Sequence, residues 1–358
     1  MIKIYPNTKI YIAAPASTFT GGPELLHQLM FQLKNVLQID NVFMYYLPAG
    51  SSDPIHPNFK IYNPIQVDFI EDSKYNLLIV PETSLLFINY SQIRKAFWWL
   101  SVDNFYLRHI INSKLNFFLP RLFNRIFKTF GNQNIFDISE IALNSKKFQR
   151  FVLPDYVKTL NYHLCQSFYA EELIKIKGIS QDKIYFLSDY LNNSFLSINI
   201  DLSKKENIVA YNPNKGLCFT RKIISLAKDI KFVPLINMSR EEVINTLQKA
   251  KVYIDFGNHP GKDRIPREAA ILSCCVITGE RGSAAFFEDV SIPDKYKFED
   301  KNENISKIIA KIIDCLENFE SRCKDFDFYR EKIKCEPQKF LDDLKKIFVK
   351  VENDEPMI

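Results

Sequence analysis

The chain has 358 residues, of which 46% are hydrophobic and 25% are charged, so it is globular and long enough for two domains. Its net charge of +5 is mild, and its basic residues follow no recognisable RNA-binding module, which argues against a nucleic-acid partner. The seven cysteines form no CxxC pair, which argues against zinc and disulfides and predicts free thiols in a reduced, cytosolic protein. The N-terminus lacks the apolar core of a signal peptide, and no stretch reaches the ~20 apolar residues of a membrane-spanning helix. We therefore expect a cytoplasmic protein, either free or peripheral on the cytoplasmic membrane.

The first predicted strand, residues 10–14, is followed by the loop PASTFTGGPE and by a helix from Pro23 to about Leu37. Gly21 and Gly22 precede this helix and would let a ligand approach the backbone closely, although a plain strand-to-helix turn explains them equally well. The loop has no GxGxxG, so a dinucleotide site is not supported. Further strands are predicted at 42–47, 60–62 and 77–81. Their alternation with helices predicts an α/β fold with a largely parallel sheet.

The segment AFWWLSVDN, residues 96–104, is predicted to be a strand that ends in polar residues. It would place Asp103 at the carboxyl end of the strand. Trp98 and Trp99 would either pack in the core, which is the commoner role of paired tryptophans, or form a platform for a second ligand.

The segment 105–136 is basic and aromatic, and it contains no acidic residue. Its apolar spacing predicts two amphipathic helices that Pro120 separates. Such helices can lie in an anionic membrane interface, or they can form an ordinary core pair with a solvated basic rim. Both interpretations stay open.

Composition and element order predict a first domain at 1–188, a linker at 189–206, a second domain at 207–335, and a final helix and tail at 336–358. In the second domain, Lys215 and Arg221 follow a predicted strand at 208–211. Ser239 and Glu242 have the spacing of a helix capping box. Pro337 is predicted to begin the last helix.

The stretch 251–290, KVYIDFGNHPGKDRIPREAAILSCCVITGERGSAAFFEDV, reads as two strand–loop–helix units, the second with a helix beginning at Ser283. Four of the ten glycines of the chain lie in its loops, together with Lys262, Arg264, Arg267 and Arg281. Helix N-termini at the carboxyl ends of parallel strands favour phosphate, and these cations reinforce them. The stretch therefore predicts a site for a phosphate-bearing ligand.

Taken together, the GGPE loop, the two α/β domains and the motif HPGKDRIPREAAILS resemble a GT-B glycosyltransferase, most closely family 4 and its bacterial capsule and lipopolysaccharide relatives. The resemblance covers nearly the whole chain in element order. It implies two Rossmann-like domains with parallel sheets facing an interdomain cleft. It also implies donor-binding roles for Gly21, Gly22, Lys215, Arg221, Glu268, Gly282 and Ser283. The cationic loop of this chain adds His259, Lys262 and Arg264 to the predicted donor-binding residues. In this family the position of Glu268 binds the donor ribose, and the basic pair neutralises the diphosphate. The chain departs from the family pattern at Pro260, where the family has its first glutamate.

A mechanism follows from the charge that develops on the leaving diphosphate. Lys215 and Arg264 would stabilise it together with helix N–H groups, without a metal or another cofactor. Asp103 is the first candidate for the base that activates an acceptor hydroxyl, and Glu24 and His109 are the next candidates. The residues expected to bind the acceptor are Glu24, Trp98, Trp99 and His109.

The predicted function is metal-independent transfer of a hexose-type sugar from a nucleoside-diphosphate sugar to a glycan or lipid-linked acceptor, in bacterial surface polysaccharide synthesis. Two alternatives remain on the same fold: a nucleotide-sugar epimerase, and a catalytically inert subunit that binds a partner glycosyltransferase. The missing first glutamate motivates the second alternative. The DxD at residues 325–327 follows a helix in a charged region, so it is interpreted as solvated surface.

Overall fold

The computed structural model describes residues 1–111, 142, 145 and 150–351. The chain divides into two compact units, each assembled from separate segments. The first unit comprises Met1–Val102, Val152–Tyr190 and Glu336–Ile358, and the second comprises Asp103–Phe151 and Leu191–Cys335. Most of the basic stretch predicted at 105–136 lies outside the described residues. The domain limits proposed from the sequence stay a prediction.

The described residues form strands and α-helices in alternation over most of the chain. The strands are β1 (Ile2–Ile4), β2 (Ile10–Pro15), β3 (Val42–Leu47), β4 (Leu77–Pro81), β5 (Arg94–Trp99), β6 (Tyr162–Cys165), β7 (Ile184–Phe186), β8 (Glu206–Tyr211), β9 (Lys231–Pro234), β10 (Ala250–Asp255), β11 (Cys275–Thr278) and β12 (Phe348–Lys350). The helices are α1 (Gly21–Asn35), α2 (Val102–Ile111), α3 (Asp155–Lys158), α4 (Phe168–Ile176), α5 (Asn193–Leu196), α6 (Leu217–Leu226), α7 (Arg240–Lys249), α8 (Arg264–Ile271), α9 (Ile305–Glu317), α10 (Phe319–Lys324) and α11 (Asp327–Ile347).

The first unit is built on a six-stranded parallel sheet in the order β3-β2-β4-β5-β6-β7. Its central strand β4 is buried along its whole length, because helices can cover both faces of a parallel sheet. Helix α1 packs on this sheet through a helical repeat of buried residues: Leu25, Leu26, Leu29, Met30 and Leu33. The helix predicted after the first strand is confirmed, and it begins two residues earlier, at Gly21.

The second unit holds a four-stranded parallel sheet in the order β11-β10-β8-β9. Its core combines β8, β10 and β11 with apolar faces of the surrounding helices, such as Ile308 and Ile312 of α9. The capping box predicted for α7 is confirmed, since the Glu242 N–H donates to Ser239 Oγ and Glu242 accepts from the Ser239 N–H. The predicted α/β fold with parallel sheets is confirmed in both units.

Helix α11 contributes to the cores of both units. Tyr329 and Ile333 belong to the core of the second unit, whereas Phe340 and Leu344 belong to that of the first. Pro337 was predicted to begin this helix, but it lies inside it. The prediction was wrong because an apolar repeat precedes the proline as well as following it.

Two predicted elements take a different form. Residues 60–62 were expected to be a strand, but they end a 3₁₀ helix, Pro57–Tyr62, which Asn63 terminates in the left-handed conformation. The helix expected at Ser283 is only a 3₁₀ turn, Ser283–Ala285. In both places a short apolar run indicated an element without identifying its type.

No helix in the described ranges combines the length and the apolar character needed to cross a membrane.

Candidate functional site

Two turns of the second unit are pressed together at the carboxyl edge of its sheet. Gly216 ends the turn after β8, and Gly257 begins the turn after β10; both have positive φ. A Cβ on Gly216 would lie 2.2 Å from the carbonyl oxygen of Phe256, and a Cβ on Gly257 would lie 2.5 Å from the Gly216 nitrogen. Only glycine fits where two backbones approach this closely. The two turns therefore form one rigid surface.

A third turn, after β11, is joined to the turn after β10. The Ser283 N–H donates to the His259 carbonyl at 2.9 Å, and Ser283 Oγ donates to the Gly261 carbonyl at 2.5 Å. Gly282 is also required here, because a Cβ would lie 2.1 Å from the His259 carbonyl oxygen. Ser283 is fully buried and already bonded, so the expectation of a helix N-terminus open to phosphate at this position was wrong.

Lys215 lies at the centre of a buried polar cluster in these turns. Its ammonium forms an ion pair with Asp263 and lies 3.4 Å from Asp255 Oδ2 and 3.1 Å from His259 Nδ1. His259 Nδ1 lies 2.8 Å from Asp263 Oδ2. The Lys215 side chain is 16% exposed, whereas those of Asp255 and His259 are fully buried. The cluster fixes the position of an ammonium at the N-terminus of α6.

Burial and charge act in opposite directions on these groups. Burial alone would lower the pKa of Lys215, but the carboxylates of Asp255 and Asp263 outweigh it and the pKa is raised. Burial alone would raise the pKa of Asp263, but Lys215 and the contact to His259 hold it well below its usual range. Lys215 is therefore charged at neutral pH, and so is Asp263.

Asp255, His259 and Asp263 also have the chemistry of metal ligands. One ligand atom from each lies within 4.8 Å of the others. The Lys215 ammonium lies among these same atoms, so a metal ion would have to displace it. The absence of a metal stays a prediction.

Helix α8 begins directly at this cluster. Asp263 is its N-cap, yet its side chain makes no capping hydrogen bond, because it binds Lys215 and His259 instead. The fully buried Arg267 donates to the backbone carbonyls of Asp263 at 3.3 Å and Lys262 at 3.1 Å, which braces the turn. The N–H groups of the first turn of α8 therefore lack a side-chain cap.

The structure gathers most of the predicted donor-binding residues in one region. They lie in the three turns and on α8: Lys215, His259, Lys262, Arg264, Glu268, Gly282 and Ser283. Arg264 and Glu268 are half-buried and Lys262 is buried. Arg221 is exposed on α6, and no hydrogen bond or ion pair between described residues joins it to the cluster. Its role stays a prediction.

Sequence reasoning missed Asp255 and Asp300. Asp300 accepts from the Gly257 N–H at 2.8 Å and from Arg281 Nη2 at 2.9 Å, so it ties two of the turns together. Burial raises the pKa of the Asp300 carboxyl. Asp255 could have been found as the last residue of an apolar strand, whereas no local pattern points to Asp300.

Asp103 does not end a strand as predicted. Strand β5 ends at Trp99, and Asp103 lies in the first turn of α2, where an acidic residue favours helix formation. It is fully buried, and its Oδ2 accepts from Asn258 Nδ2 at 2.6 Å within the second unit. Its role as a base stays a prediction.

Trp98 and Trp99 are fully buried in the first sheet. Trp98 Nε1 donates to the Leu187 carbonyl at 3.2 Å, and Trp99 Nε1 donates to His163 Nδ1 at 3.2 Å. The burial of both rings favours core packing. Their predicted role as an acceptor platform stays a prediction.

The other residues predicted on the acceptor side are also held by neighbours. Glu24 is buried and accepts from Tyr62 OH at 3.1 Å. The ring of His109 packs against Phe105 with centroids 4.4 Å apart. Gly21 and Gly22 form the first turn of α1. Their predicted roles in ligand binding stay predictions.

A search of protein-family models and a search of curated proteins find nothing that matches this chain. Solved structures do match. Anabaena HepE, solved with UDP and glucose, aligns with a TM-score of 0.60 and 10% identity over 95% of this chain and 99% of HepE. WaaB, a lipopolysaccharide outer core galactosyltransferase, aligns with a TM-score of 0.55 and 10% identity over 97% of this chain and 99% of WaaB.

The match to a variant of S. aureus TarM, solved with UDP and α-GlcNAc-glycerol, has a TM-score of 0.50 and 14% identity. It covers 78% of this chain and 56% of TarM, so the chain spans little more than half of that protein. At such identities a structural match establishes architecture and nothing finer. This chain has the GT-B fold, with two Rossmann-like units of parallel sheet.

Proposed function

We propose that the chain is a glycosyltransferase that moves a sugar from a nucleoside-diphosphate sugar to a glycan or lipid-linked acceptor. The observation that carries the proposal is the largely buried Lys215 ammonium, whose side chain is 16% exposed and which is held between the N-termini of α6 and α8 at the carboxyl edge of the second sheet. Helix N-termini and a fixed cation at that edge suit a diphosphate. The donor is assigned to the second unit.

The structural neighbours support the reaction class and its setting. HepE was solved with UDP and glucose, WaaB is named for galactosyl transfer in lipopolysaccharide, and TarM was solved with UDP. Two of these proteins match over nearly the full length of both chains. Synthesis of a bacterial surface polysaccharide is the setting that these relatives favour.

In the proposed mechanism, cleavage of the sugar–phosphate bond leaves negative charge on the diphosphate. Lys215 and Arg264 stabilise that charge, and Glu268 accepts hydrogen bonds from the donor ribose hydroxyls. A hydrogen bond to a charged group contributes about 1.5–3 kcal/mol, so loss of either cation slows the reaction on the order of tenfold or more. No step requires a metal, since the ammonium and guanidinium supply the positive charge.

Activation of the acceptor hydroxyl is assigned to Asp103. Its carboxylate is bound by Asn258, a residue of the turn after β10, so it lies beside the turns that hold the donor cluster. Asp103→Asn removes the base and keeps the shape of the side chain. We expect kcat to fall at saturating acceptor; near-wild-type turnover would exclude Asp103 as the base.

The test of the proposal is release of free UDP from UDP-glucose, UDP-galactose and UDP-N-acetylglucosamine, with and without a bacterial glycolipid extract as acceptor. A transferase releases UDP with one of these donors only when acceptor is present. Conversion of the donor into an epimeric nucleotide sugar without acceptor, and without net release of UDP, would indicate the epimerase. Lys215→Met should slow release on the order of tenfold or more, whereas Lys228→Met, a change at an exposed lysine of the same unit, should leave it unchanged.

Contact with an anionic membrane is a second part of the proposal. It rests on the acid-free sequence of residues 105–136 alone. The wild-type protein should float with anionic liposomes, and charge reversal of Arg121, Arg125 and Lys128 should release it. Charge reversal of the exposed Lys228, Lys324 and Lys345 is the matched control. Equal flotation of both triple variants would exclude this segment as the anchor.

A further inference from the structure

An exposed aromatic surface of the first unit lies beside the N-terminus of α1. Phe19, in the loop after β2, is 37% exposed. Its ring stacks on that of His56, with centroids 4.8 Å apart and planes 12° from parallel. Phe59 lies 5.7 Å from each of these rings and is itself buried. The rings of His56 and Phe59 therefore support Phe19 from within the unit.

Hydrogen bonds hold the two loops that carry this stack. The Ser17 N–H donates to the Pro54 carbonyl at 2.7 Å, and Ser17 Oγ donates to the Asp53 carbonyl at 2.7 Å. His56 Nδ1 accepts from the Asn58 N–H at 3.3 Å, which orients the imidazole. Because the backbone and the imidazole are fixed before any ligand arrives, a ligand that stacks on Phe19 spends little free energy on ordering the site.

The position of the stack favours a ligand-binding role over simple packing. Phe19 lies two residues before Gly21, the first residue of α1, at the carboxyl end of β2. Ligands of parallel α/β sheets bind at that edge. The next residue, Thr20, is exposed, and its side chain makes no capping hydrogen bond to α1. A hydroxyl and an aromatic ring thus lie side by side on the surface.

We propose that the Phe19–His56 stack is the platform for one pyranose ring of the glycan acceptor. A pyranose has an apolar face of axial C–H groups that packs on an aromatic ring, while its equatorial hydroxyls extend sideways to partners such as Thr20. A single exposed ring with one adjacent hydroxyl matches one sugar unit in size. The assignment rests on the proposed glycosyl transfer, and it places the aromatic platform on an exposed ring, whereas Trp98 and Trp99 are fully buried.

The test is saturation-transfer NMR on the full chain, with methyl β-glucopyranoside, methyl β-galactopyranoside and methyl N-acetyl-β-glucosaminide as probes. We expect transfer to the ring C–H protons of at least one probe. Phe19→Ala should weaken it on the order of fivefold, as loss of one stacking contact does, and Phe19→Tyr should preserve it. Phe69→Ala, at a phenylalanine that is 75% exposed in the same unit, is the matched control and should not change it.

His56→Asn supplies a second variant, because asparagine can still accept from the Asn58 N–H while the supporting ring is lost. His56→Asn should reduce the saturation transfer to the pyranoside, but by less than Phe19→Ala does. Unchanged transfer in Phe19→Ala, or no transfer to any probe in the wild type, would overturn the platform.

The thermal shift caused by UDP, measured on the same proteins, separates the two proposals. We expect the shift to survive in Phe19→Ala. Loss of the shift in that variant would instead place the nucleotide base on Phe19 and overturn the sugar platform. Pyranoside binding through Phe19 without any UDP shift in the wild type would keep the platform and contradict the proposed donor site.

Discussion

The strand-to-helix turns of the two units use glycine for different reasons. In the second unit, Gly216, Gly257 and Gly282 have positive φ and lie where a Cβ would meet backbone atoms at 2.1–2.5 Å. In the first unit, Gly22 has no such constraint, since a Cβ there would lie 3.5 Å from Leu100 Cδ1, an ordinary contact. Glycine in the second unit is required by the fold itself. Packing therefore does not require glycine at position 22.

One carboxyl group from each unit shows a further difference. In the second unit, Asp263 is paired with Lys215, and its pKa is lowered. In the first unit, Glu82 accepts from the backbone N–H of Leu100 at 2.9 Å, and burial raises the pKa of Glu82 to about 7. A fixed cation is thus the feature that distinguishes the turns of the second unit. We interpret it as the mark of an anion-binding site.

The largest effect is expected at Gly257. Gly257→Ala forces a Cβ into the Gly216 backbone at 2.5 Å, whereas Gly178→Ala, at a similar positive φ, meets nothing within 4 Å. Gly178→Ala should cost only the backbone strain, about 1 kcal/mol, and Gly257→Ala should cost on the order of 3 kcal/mol or more. Urea unfolding measures both. An equal loss of unfolding free energy in the two variants would contradict the close approach of the Gly216 and Gly257 turns.

A smaller effect, which depends on pH, is expected at Glu82. Its folded-state pKa of about 7 lies above its ordinary value of 4.5, so its contribution to stability is fully present below pH 4.5 and is lost as the pH rises to 7. That loss amounts to about 3 kcal/mol. Glu82→Gln should flatten the wild-type decline in unfolding free energy between pH 5 and pH 7. A variant that declines as steeply as the wild type would contradict the raised pKa.

The pH dependence contributed by Asp263 has the opposite sign. Because its folded-state pKa is lowered, its contribution is present above its ordinary pKa of 3.8 and is lost as the pH falls through the folded-state pKa. Glu82→Gln should therefore leave the loss of stability in acid unchanged. The fall in unfolding free energy at acid pH is therefore an internal control for the Glu82 experiment.

The smallest effect on stability is expected at Gly22. Gly22→Ala should change the free energy of unfolding by less than about 0.5 kcal/mol, because the new Cβ has room and alanine suits a helix. If a ligand approaches this turn, sugar transfer should nevertheless fall. If Gly22→Ala kept both the stability and the sugar transfer of the wild type, a ligand would not contact the backbone at the α1 turn.

Local patterns predicted much of the framework. Apolar runs bounded by glycine located β8, β10 and β11, and the repeat after Pro23 located α1. The clustering of Lys215, His259 and Arg264 also followed from sequence, because the carboxyl ends of parallel strands share one edge of the sheet. These predictions depend on residues close together in the chain.

The features that the sequence did not reveal depend on contacts between residues far apart in the chain. Asp300 lies 43 residues from Gly257, whose N–H it accepts, and no spacing rule links the two. The AFWWLSVDN run did not indicate that β5 ends at Trp99 or that both indoles are buried, since helices on both faces of the sheet decide that. Phe19 and His56 are 37 residues apart, and only the fold stacks their rings.

The most direct test of the central claim is calorimetric titration of UDP into the wild type, Lys215→Met and Lys228→Met. We expect the wild type and Lys228→Met to bind UDP alike, and Lys215→Met to bind on the order of tenfold more weakly or not at all, with no loss of fold by circular dichroism. Equal UDP affinity in Lys215→Met, or no binding by the wild type, would contradict the assignment of the buried cluster as the diphosphate site.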